Sequence, residues 1–253
     1  MISEIRKLTN FASIKTQLIA FLSVFAIFLA YINHNTQFIL TTLIAITTAV
    51  IIESSLIYFK NKTFKITESS IITGLIIGYV LTSNNIWWLF CFASVAAILS
   101  KLLLRINKKH IFNPAAFGIF CVIVFFHAGV QWIGTYLWYI LIPFGIYFAY
   151  KTNKIEILLG YFLTSFLLIG YTALIHNISL ISIFGYFSYF YIFIMIIEPK
   201  TSPVSLKGKW IFGLGVAIMV FVFNEIGIRF DAELSGLLFL NMLVPLLNDR
   251  PLA

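Results

Sequence analysis

The chain has 253 residues, of which 61% are hydrophobic and only 10% are charged, against about 25% charged residues in a typical soluble domain. The net charge is +8, but the basic residues are spread over the connections between apolar runs, which excludes nucleic acid as a partner. Ten apolar runs of about 20 residues leave no room for a soluble nucleotide-binding or ferredoxin-like domain. The composition indicates a single transmembrane domain over residues 1–253.

The apolar runs predict an all-α integral membrane fold of about ten transmembrane helices. All but Arg229 of the 17 Lys and Arg residues fall on one side of this topology. The positive-inside rule places that side in the cytoplasm, so we expect a multi-pass protein of the cell inner (plasma) membrane with cytoplasmic N- and C-termini. The ten predicted segments are residues 16–32, 37–59, 68–82, 86–104, 114–128, 132–150, 155–175, 179–197, 209–225 and 232–247.

Ten helices divide into two halves of five, approximately residues 1–130 and 131–253. A half with five helices crosses the membrane an odd number of times, so a second copy must insert upside down, as in transporters with inverted repeats. The third, fifth, eighth and tenth segments are short or carry polar, Pro or Gly interruptions at corresponding places in the two halves. Such segments point to a site near the membrane midplane, and we expect these four to line it.

The third segment carries small residues on one helix face. Gly74 and Gly78 form a GxxxG pattern, and Ser70 lies one turn earlier on the same face. Small residues at this spacing favour close helix packing. We expect Thr73, between them, to face a ligand.

One acid and two thiols inside the apolar segments are further candidates for chemistry. Glu53 lies about 10 Å deep, counted from Lys60 at the helical rise, where it would snorkel, pair with a base or carry protons. Cys91 and Cys121 lie in different segments without a CxxC pattern or a nearby His, so we interpret them as packing residues.

The fifth segment begins with Asn113-Pro114. Proline at the first helical position has a suitable fixed φ and no N–H group to leave unpaired, and Asn113 before it can cap the next turn. The simplest interpretation is a helix cap. The functional interpretation adds that the positive end of the helix points inward, toward an anionic or carbonyl-bearing ligand.

The eighth segment ends in Glu198-Pro199-Lys200-Thr201-Ser202-Pro203. The two prolines exclude a helix here, and the hydroxyls of Thr201 and Ser202 favour local bonds to the backbone. Because Glu198 ends an apolar run, we expect it to have a partner.

The tenth segment carries Asn241 four residues before Pro245. Proline lacks the N–H group that would bond to the Asn241 carbonyl, so that carbonyl is left free. A buried Asn beside a free carbonyl suits a hydrogen-bonding pocket, and a plain helix kink is the alternative.

These four stretches together resemble the D subunit of the Rnf ferredoxin:NAD oxidoreductase and the B subunit of the sodium-pumping NADH:quinone reductase. Because the matches run from residue 70 to 249, the resemblance covers most of the chain. The family patterns are Ser-x-x-Thr-Gly-Leu, matched by Ser70 to Leu75; Phe-Asn-Pro-Ala, matched by Phe112 to Ala115; Asp-Pro-x-Thr-Ser-Pro, matched by Glu198 to Pro203 with Glu replacing Asp; and Asn-x-x-x-Pro-Leu-Ile-Asp, matched by Asn241 to Asp249 with Asn248 as an extra residue.

The resemblance implies a urea-transporter-like fold of two inverted repeats, and it implies flavin. Family members carry FMN on a Thr of a Ser-Gly-Ala-Thr motif after the fifth helix. This chain lacks that motif, so we predict no covalent FMN. The B subunit also binds riboflavin noncovalently near its Asn-Pro motif, so we expect noncovalent riboflavin or FMN here. The residues matching the motifs, and thus expected to bind the cofactor, are Ser70, Thr73, Asn113, Pro114, Glu198, Thr201, Ser202 and Asn241.

Two functions remain open. The first is a flavin-binding subunit in transmembrane electron transport, which works beside other membrane redox subunits in the lipid bilayer and is not catalytic alone. The second is a transporter or channel for flavin or a small polar solute, which interrupted helices in inverted repeats favour on physical grounds. The missing covalent flavin weighs against the first, and the lack of an identifiable substrate weighs against the second. A homo-oligomer is compatible with both.

Overall fold

A computed structural model describes residues 13–82, 84, 86–106 and 109–248. Within these residues the chain forms nine α-helices and a small hairpin between α4 and α5, in which Arg105 pairs with His110 in antiparallel fashion. The elements are α1 (Ile14–Ile32), α2 (Thr36–Asn61), α3 (Glu68–Val80), α4 (Trp87–Leu103), β1 (Arg105–Ile106), β2 (Lys109–His110), α5 (Pro114–Phe126), α6 (Trp138–Lys151), α7 (Ile155–Ile175), α8 (Leu206–Ile226) and α9 (Ala232–Leu247).

The helices have the composition of membrane spans. Four of them, α1, α2, α7 and α8, are long and apolar enough to cross a membrane, and α3, α4, α5 and α9 are shorter apolar helices. Large apolar side chains such as Val24, Ile51 and Leu167 are more than half exposed on the long helices. A soluble monomer rarely exposes so much apolar surface, so the all-α membrane class expected from the sequence is confirmed.

The eighth predicted segment is not a regular α-helix. It begins with a 3-10 helix, Leu180–Tyr186, and continues into a π-helical turn, Tyr191–Met195. All five residues of the π-helical turn are buried. Irregular backbone is tolerated at membrane depth only inside the protein, and π-helical turns often occur at functional sites. The ten predicted segments therefore correspond to nine α-helices and one irregular segment.

The helices of the two halves make corresponding contacts. In the first half α2 packs against α3 and α4, and α4 packs against α5. In the second half α7 packs against the 3-10 helix and α8, and α8 packs against α9. The helix contacts that join the halves include α1 with α6 and α5 with α9.

Most helices begin at a polar side chain that accepts a bond from the first turn. These caps satisfy N–H groups that no helical carbonyl can reach, which fixes where each helix starts. The capping residues are Ser13, Asn35, Thr67, Asn113, Ser205 and Asp231.

Close packing between α2 and α3 depends on glycine. A Cβ atom at Gly74 would overlap the backbone of Ile46, and one at Gly78 would overlap the Thr42 side chain. The interpretation of the GxxxG pattern as a packing face is therefore confirmed.

Candidate functional site

A cavity of about 360 Å³ lies where α1, α3, α5, α6 and the π-helical turn meet. We call it the α5 cavity. Its wall is mostly apolar, with rings from Phe148 and Phe193, and a few polar groups interrupt that wall. This combination is typical of small-molecule sites. The polar or charged lining residues are Lys15, Ser69, Thr73, Asn113, Thr152, Glu198 and Lys200.

Asn113 is the N-cap of α5, as the sequence predicted. Its side-chain oxygen accepts a bond from Ala116 N–H at 3.1 Å, and its amide nitrogen donates to the Met195 carbonyl at 3.4 Å. The residue is only 1% exposed. Asn113 therefore joins the start of α5 to the π-helical turn, and the cap interpretation and the lining of the cavity hold together.

Asn241 of α9 lies directly behind Asn113 and is fully buried. Its side-chain oxygen accepts a bond from the Asn113 backbone N–H at 3.0 Å, and its amide nitrogen donates to the Thr201 carbonyl at 3.0 Å. One side chain thus links three stretches that are far apart in the sequence. Asn241 therefore acts on the α5 cavity through the residues that it holds and does not itself line that cavity.

The 198–203 loop is held by its own side chains. The Thr201 hydroxyl donates to Glu198 Oε2 at 3.0 Å, and the Ser202 hydroxyl donates to the Glu198 carbonyl at 2.7 Å. Glu198 Oε1 also lies 3.9 Å from His110 Nε2. Glu198 therefore has the partners that its position at the end of an apolar run led us to expect.

Lys154, between α6 and α7, anchors the far end of this loop. Its ammonium group donates to the carbonyls of Ser202 and Pro203, and the residue is buried. Burial and the nearby positive charge of Lys209 lower the pKa of the Lys154 ammonium to about 8, partly offset by Glu156. Lys154 thus supports the loop from a site where its charge is poorly solvated.

Behind α3 lies an ion pair that reaches the cavity wall. Lys101 Nζ donates to Glu53 Oε2 at 3.1 Å and to the Ser69 hydroxyl at 3.0 Å, while Thr73 donates to the Ser69 carbonyl at 2.8 Å. Of the three roles considered for Glu53, the structure matches pairing with a base.

The eight residues expected from the sequence divide into three groups. Thr73, Asn113, Pro114 and Glu198 line the α5 cavity. Thr201 and Asn241 lie one layer behind it, and Ser202 lines a neighbouring cavity of about 230 Å³. Ser70 lies outside both cavities, because its hydroxyl bonds back to the Thr67 carbonyl within the first turn of α3. Asp249, the last residue of the matched motifs, lies outside the described residues.

Sequence reasoning missed several lining residues. Phe148 lies on α6, Thr152 follows one turn later as the C-cap of that helix, and Phe193 lies in the π-helical turn. None of the three carries a local signal, because only the tertiary packing brings their elements together. Lys15 and Lys200 were assigned to the charge asymmetry of the topology, and the structure shows that both also line the cavity.

The lining of the α5 cavity is suited to binding and orienting a small molecule. Aromatic and aliphatic walls suit a flat apolar ring, hydroxyls suit polar ring edges, and Lys15 and Lys200 suit a negatively charged group. Among the described residues no cluster of three or more His, Cys, Asp or Glu could hold a metal ion.

The fold and the site define a multi-pass helical membrane protein that has a mostly apolar cavity at the capped start of a short helix. The chain belongs to the NQR2, RnfD, RnfE family, whose model matches residues 4–136 and again residues 133–251. The resemblance inferred from the four motifs is thereby confirmed. No curated protein matches the chain. Family membership supports a role as a membrane subunit in electron transport of the Rnf or Nqr type.

Proposed function

We propose that the protein is a membrane electron-transport subunit that holds riboflavin or FMN noncovalently in the α5 cavity. One observation carries the proposal. Thr73, Asn113, Pro114 and Glu198 come from three separate family motifs and line a single cavity. Residues whose only role was to start or end their own helices would not all be expected to line the same cavity.

The size and lining of the cavity fit this cofactor. Its volume of about 360 Å³ lies at the lower end of the range for small-molecule sites, about 300–1,000 Å³. Phe148 and Phe193 offer aromatic surface to a ring system, and Thr152 offers a hydroxyl to its polar edge. A bound flavin would supply the electron transfer.

The chain's own residues would bind the flavin, orient its ring and tune its electron affinity. Lys15 and Lys200 bring positive charge to the cavity, which favours an anionic phosphate or a ring that has gained an electron. Glu198 partly balances this charge beside Lys200. The buried rings of Phe148 and Phe193 would exclude water from the ring.

We further propose the finer topology expected from the sequence. The chain would consist of two inverted five-helix repeats in a urea-transporter-like arrangement, with both termini in the cytoplasm and the inner membrane as its location. The corresponding contacts of the two halves and the two separate family matches support the repeats. Other membrane redox subunits are the proposed partners, and a homo-oligomer is compatible with this arrangement.

The second candidate is a transporter or channel for flavin or a small polar solute. The irregular eighth segment favours it, because discontinuous helices form the substrate sites of many transporters with inverted repeats.

The visible spectrum of the purified protein in detergent separates the two functions. Flavin binding predicts a yellow chromophore that dithionite bleaches and that acid denaturation releases into the supernatant. A colourless protein purified under conditions that preserve the fold would contradict it, and solute uptake into liposomes would then test transport.

The matched variants for this experiment are Asn113→Ala and Cys91→Ala. We expect Asn113→Ala to lower the amount of flavin retained, because it loosens both the start of α5 and the π-helical turn. Cys91, partly buried on α4 and absent from the cavity wall, serves as the control. Equal retention in the two variants would remove Asn113 from the site.

A further inference from the structure

A second cavity, of about 390 Å³, lies between α7, α8, the start of α9 and the 3-10 helix. We call it the α7–α8 cavity. It shares no lining residue with the α5 cavity, and none of the sequence motifs includes its residues. Aromatic side chains form much of its wall, among them Tyr161, Phe187 and Phe221. Asn224 and Glu225 are exposed at its rim, so the cavity is accessible from outside.

The wall of this cavity contains a carboxyl group that the flavin proposal does not use. Glu233 is the second residue of α9, about 12 Å along the helix axis from Asn241. Its Oε2 atom is buried and has no hydrogen-bond partner within the described residues, while the Ser188 hydroxyl bonds to the carboxyl group. A buried carboxylate oxygen without a partner is costly, and in a membrane protein such a group marks a functional site.

The groups around Glu233 supply no counter-ion. No Lys, Arg or His lines this cavity in the part of the chain that the structure describes. Asp231 caps α9 through Leu234 N–H at 2.8 Å, and the Tyr191 hydroxyl donates to the Glu233 carbonyl at 2.9 Å. The remaining titratable groups that face the cavity are Tyr161, Tyr186 and Glu225.

We propose that the α7–α8 cavity binds a small organic ammonium ion with Glu233 as its counter-ion. Aromatic rings attract cations through their electron-rich faces, and the carboxylate supplies the opposite charge. An inorganic cation would need several oxygen ligands around a much smaller space, whereas this cavity has the volume of a small-molecule site and a mainly apolar wall.

Calorimetric titration of the purified full-length protein tests the proposal. The probe is benzylammonium in potassium buffer at neutral pH, and benzyl alcohol is the neutral ligand of similar shape. We expect benzylammonium to bind roughly tenfold or more tightly than benzyl alcohol. Equal binding of the two, or displacement of benzylammonium by sodium or potassium ions at similar concentrations, would overturn the proposal.

Two variants locate the charge. Glu233→Gln should lower benzylammonium affinity by roughly tenfold or more, and Glu68→Gln, on α3 and outside the wall of this cavity, should leave it almost unchanged. Equal affinity in the wild type and Glu233→Gln would also overturn the proposal.

A third variant covers the case in which Glu233→Gln fails to fold. Ala173 is buried in the cavity wall, so Ala173→Leu narrows the cavity without touching the carboxyl group, and it should weaken benzylammonium binding by a similar factor. Unchanged binding would contradict the location. Flavin content is measured on the same samples, so the outcome for this site is independent of the outcome for the α5 cavity.

Discussion

Asn241 holds two of the stretches that surround the α5 cavity. Its one side chain accepts from the Asn113 backbone and donates to the Thr201 carbonyl. Both partners are buried, so neither can turn to water if Asn241 is lost. Loss of the Asn241 side chain should therefore lower the stability of the fold more than loss of an exposed polar side chain does.

Asn241→Ala should lower the midpoint of thermal unfolding in detergent by roughly 5–10 °C, because each unpaired buried group costs about 1–3 kcal/mol. Asn224→Ala, at an exposed position, should change it little. The measurement is thermal unfolding of both purified variants beside the wild type. A midpoint for Asn241→Ala within error of the wild type would refute the linking role.

Lys154 predicts a dependence of stability on pH. Its pKa is about 8 in the fold, against an ordinary value of 10.5. Between these two values the unfolded chain binds a proton that the folded chain does not, so stability should rise with pH across this window. Thermal unfolding measured across the window should show this rise in the wild type.

The matched variants for this prediction are Lys154→Met and Lys151→Met. Lys154→Met should flatten the rise in the unfolding midpoint with pH, whereas Lys151→Met, which alters an exposed residue of α6, should retain it. The same slope in both variants would mean that Lys154 does not titrate in this range.

The cap at Asn113 was predictable and its partner was not. The cap is local, because the side chain reaches N–H groups within three residues. The bond from Asn113 to Asn241 joins residues 128 positions apart, and no single sequence without an alignment indicates such a contact. Thr73 was expected to line a site because it lies in a local sequence pattern. Phe148 was not expected there, because only long-range packing brings it to the cavity.

At the scale of elements, the π-helical turn determines the shape of the α5 cavity. Gly145 of α6 allows this turn to approach, since a Cβ atom there would overlap the Phe193 side chain. Phe193 in turn lines the cavity. A change at Gly145 should therefore act on the ligand through the Phe193 ring.

Gly145→Ala should reduce the flavin content of the purified protein to less than about half, because relief of overpacking moves Phe193 at a cost of about 1–3 kcal/mol. Gly185→Ala is the matched control, since no atom lies within 4 Å of a Cβ atom built there. Flavin content is read from the released chromophore per mole of protein. Equal content in both variants would exclude this role of the turn.

The eighth segment shows where sequence reasoning reaches its limit at this scale. An apolar run of this length predicts a transmembrane helix, and the Pro-rich exit correctly predicted the end of the run. The 3-10 helix and the π-helical turn depend on packing against α6 and α7, which hydropathy does not record. By contrast, the bounds of α7 matched the predicted run over residues 155–175, because a regular helix of that length follows the apolar run itself.

At the scale of the whole molecule, the charge distribution predicts the orientation in the membrane. Nearly all Lys and Arg residues fall on one side of the predicted topology. In the proposed topology the loop after α2 lies on this basic side, and the loop after α1 lies on the other. The proposed topology therefore assigns opposite sides of the membrane to Lys62 and His34, both of which are exposed.

Single cysteines at these positions test the orientation. In a background without Cys91 and Cys121, a membrane-impermeant maleimide should label His34→Cys on intact cells and Lys62→Cys only in inverted vesicles. The reverse pattern would place the termini outside, and labelling of both positions from one side would contradict the count of membrane crossings between them.

The proposed function requires flavin in the α5 cavity, and the most direct test is the ratio of flavin to protein in two cavity-filling variants. Ala115→Leu fills the α5 cavity, and Ala173→Leu fills the α7–α8 cavity from an equally buried position. If flavin binds in the α5 cavity, Ala115→Leu, purified as a folded protein, loses most of its flavin while Ala173→Leu keeps the wild-type ratio. Flavin retained by Ala115→Leu at the wild-type ratio would contradict the proposed function.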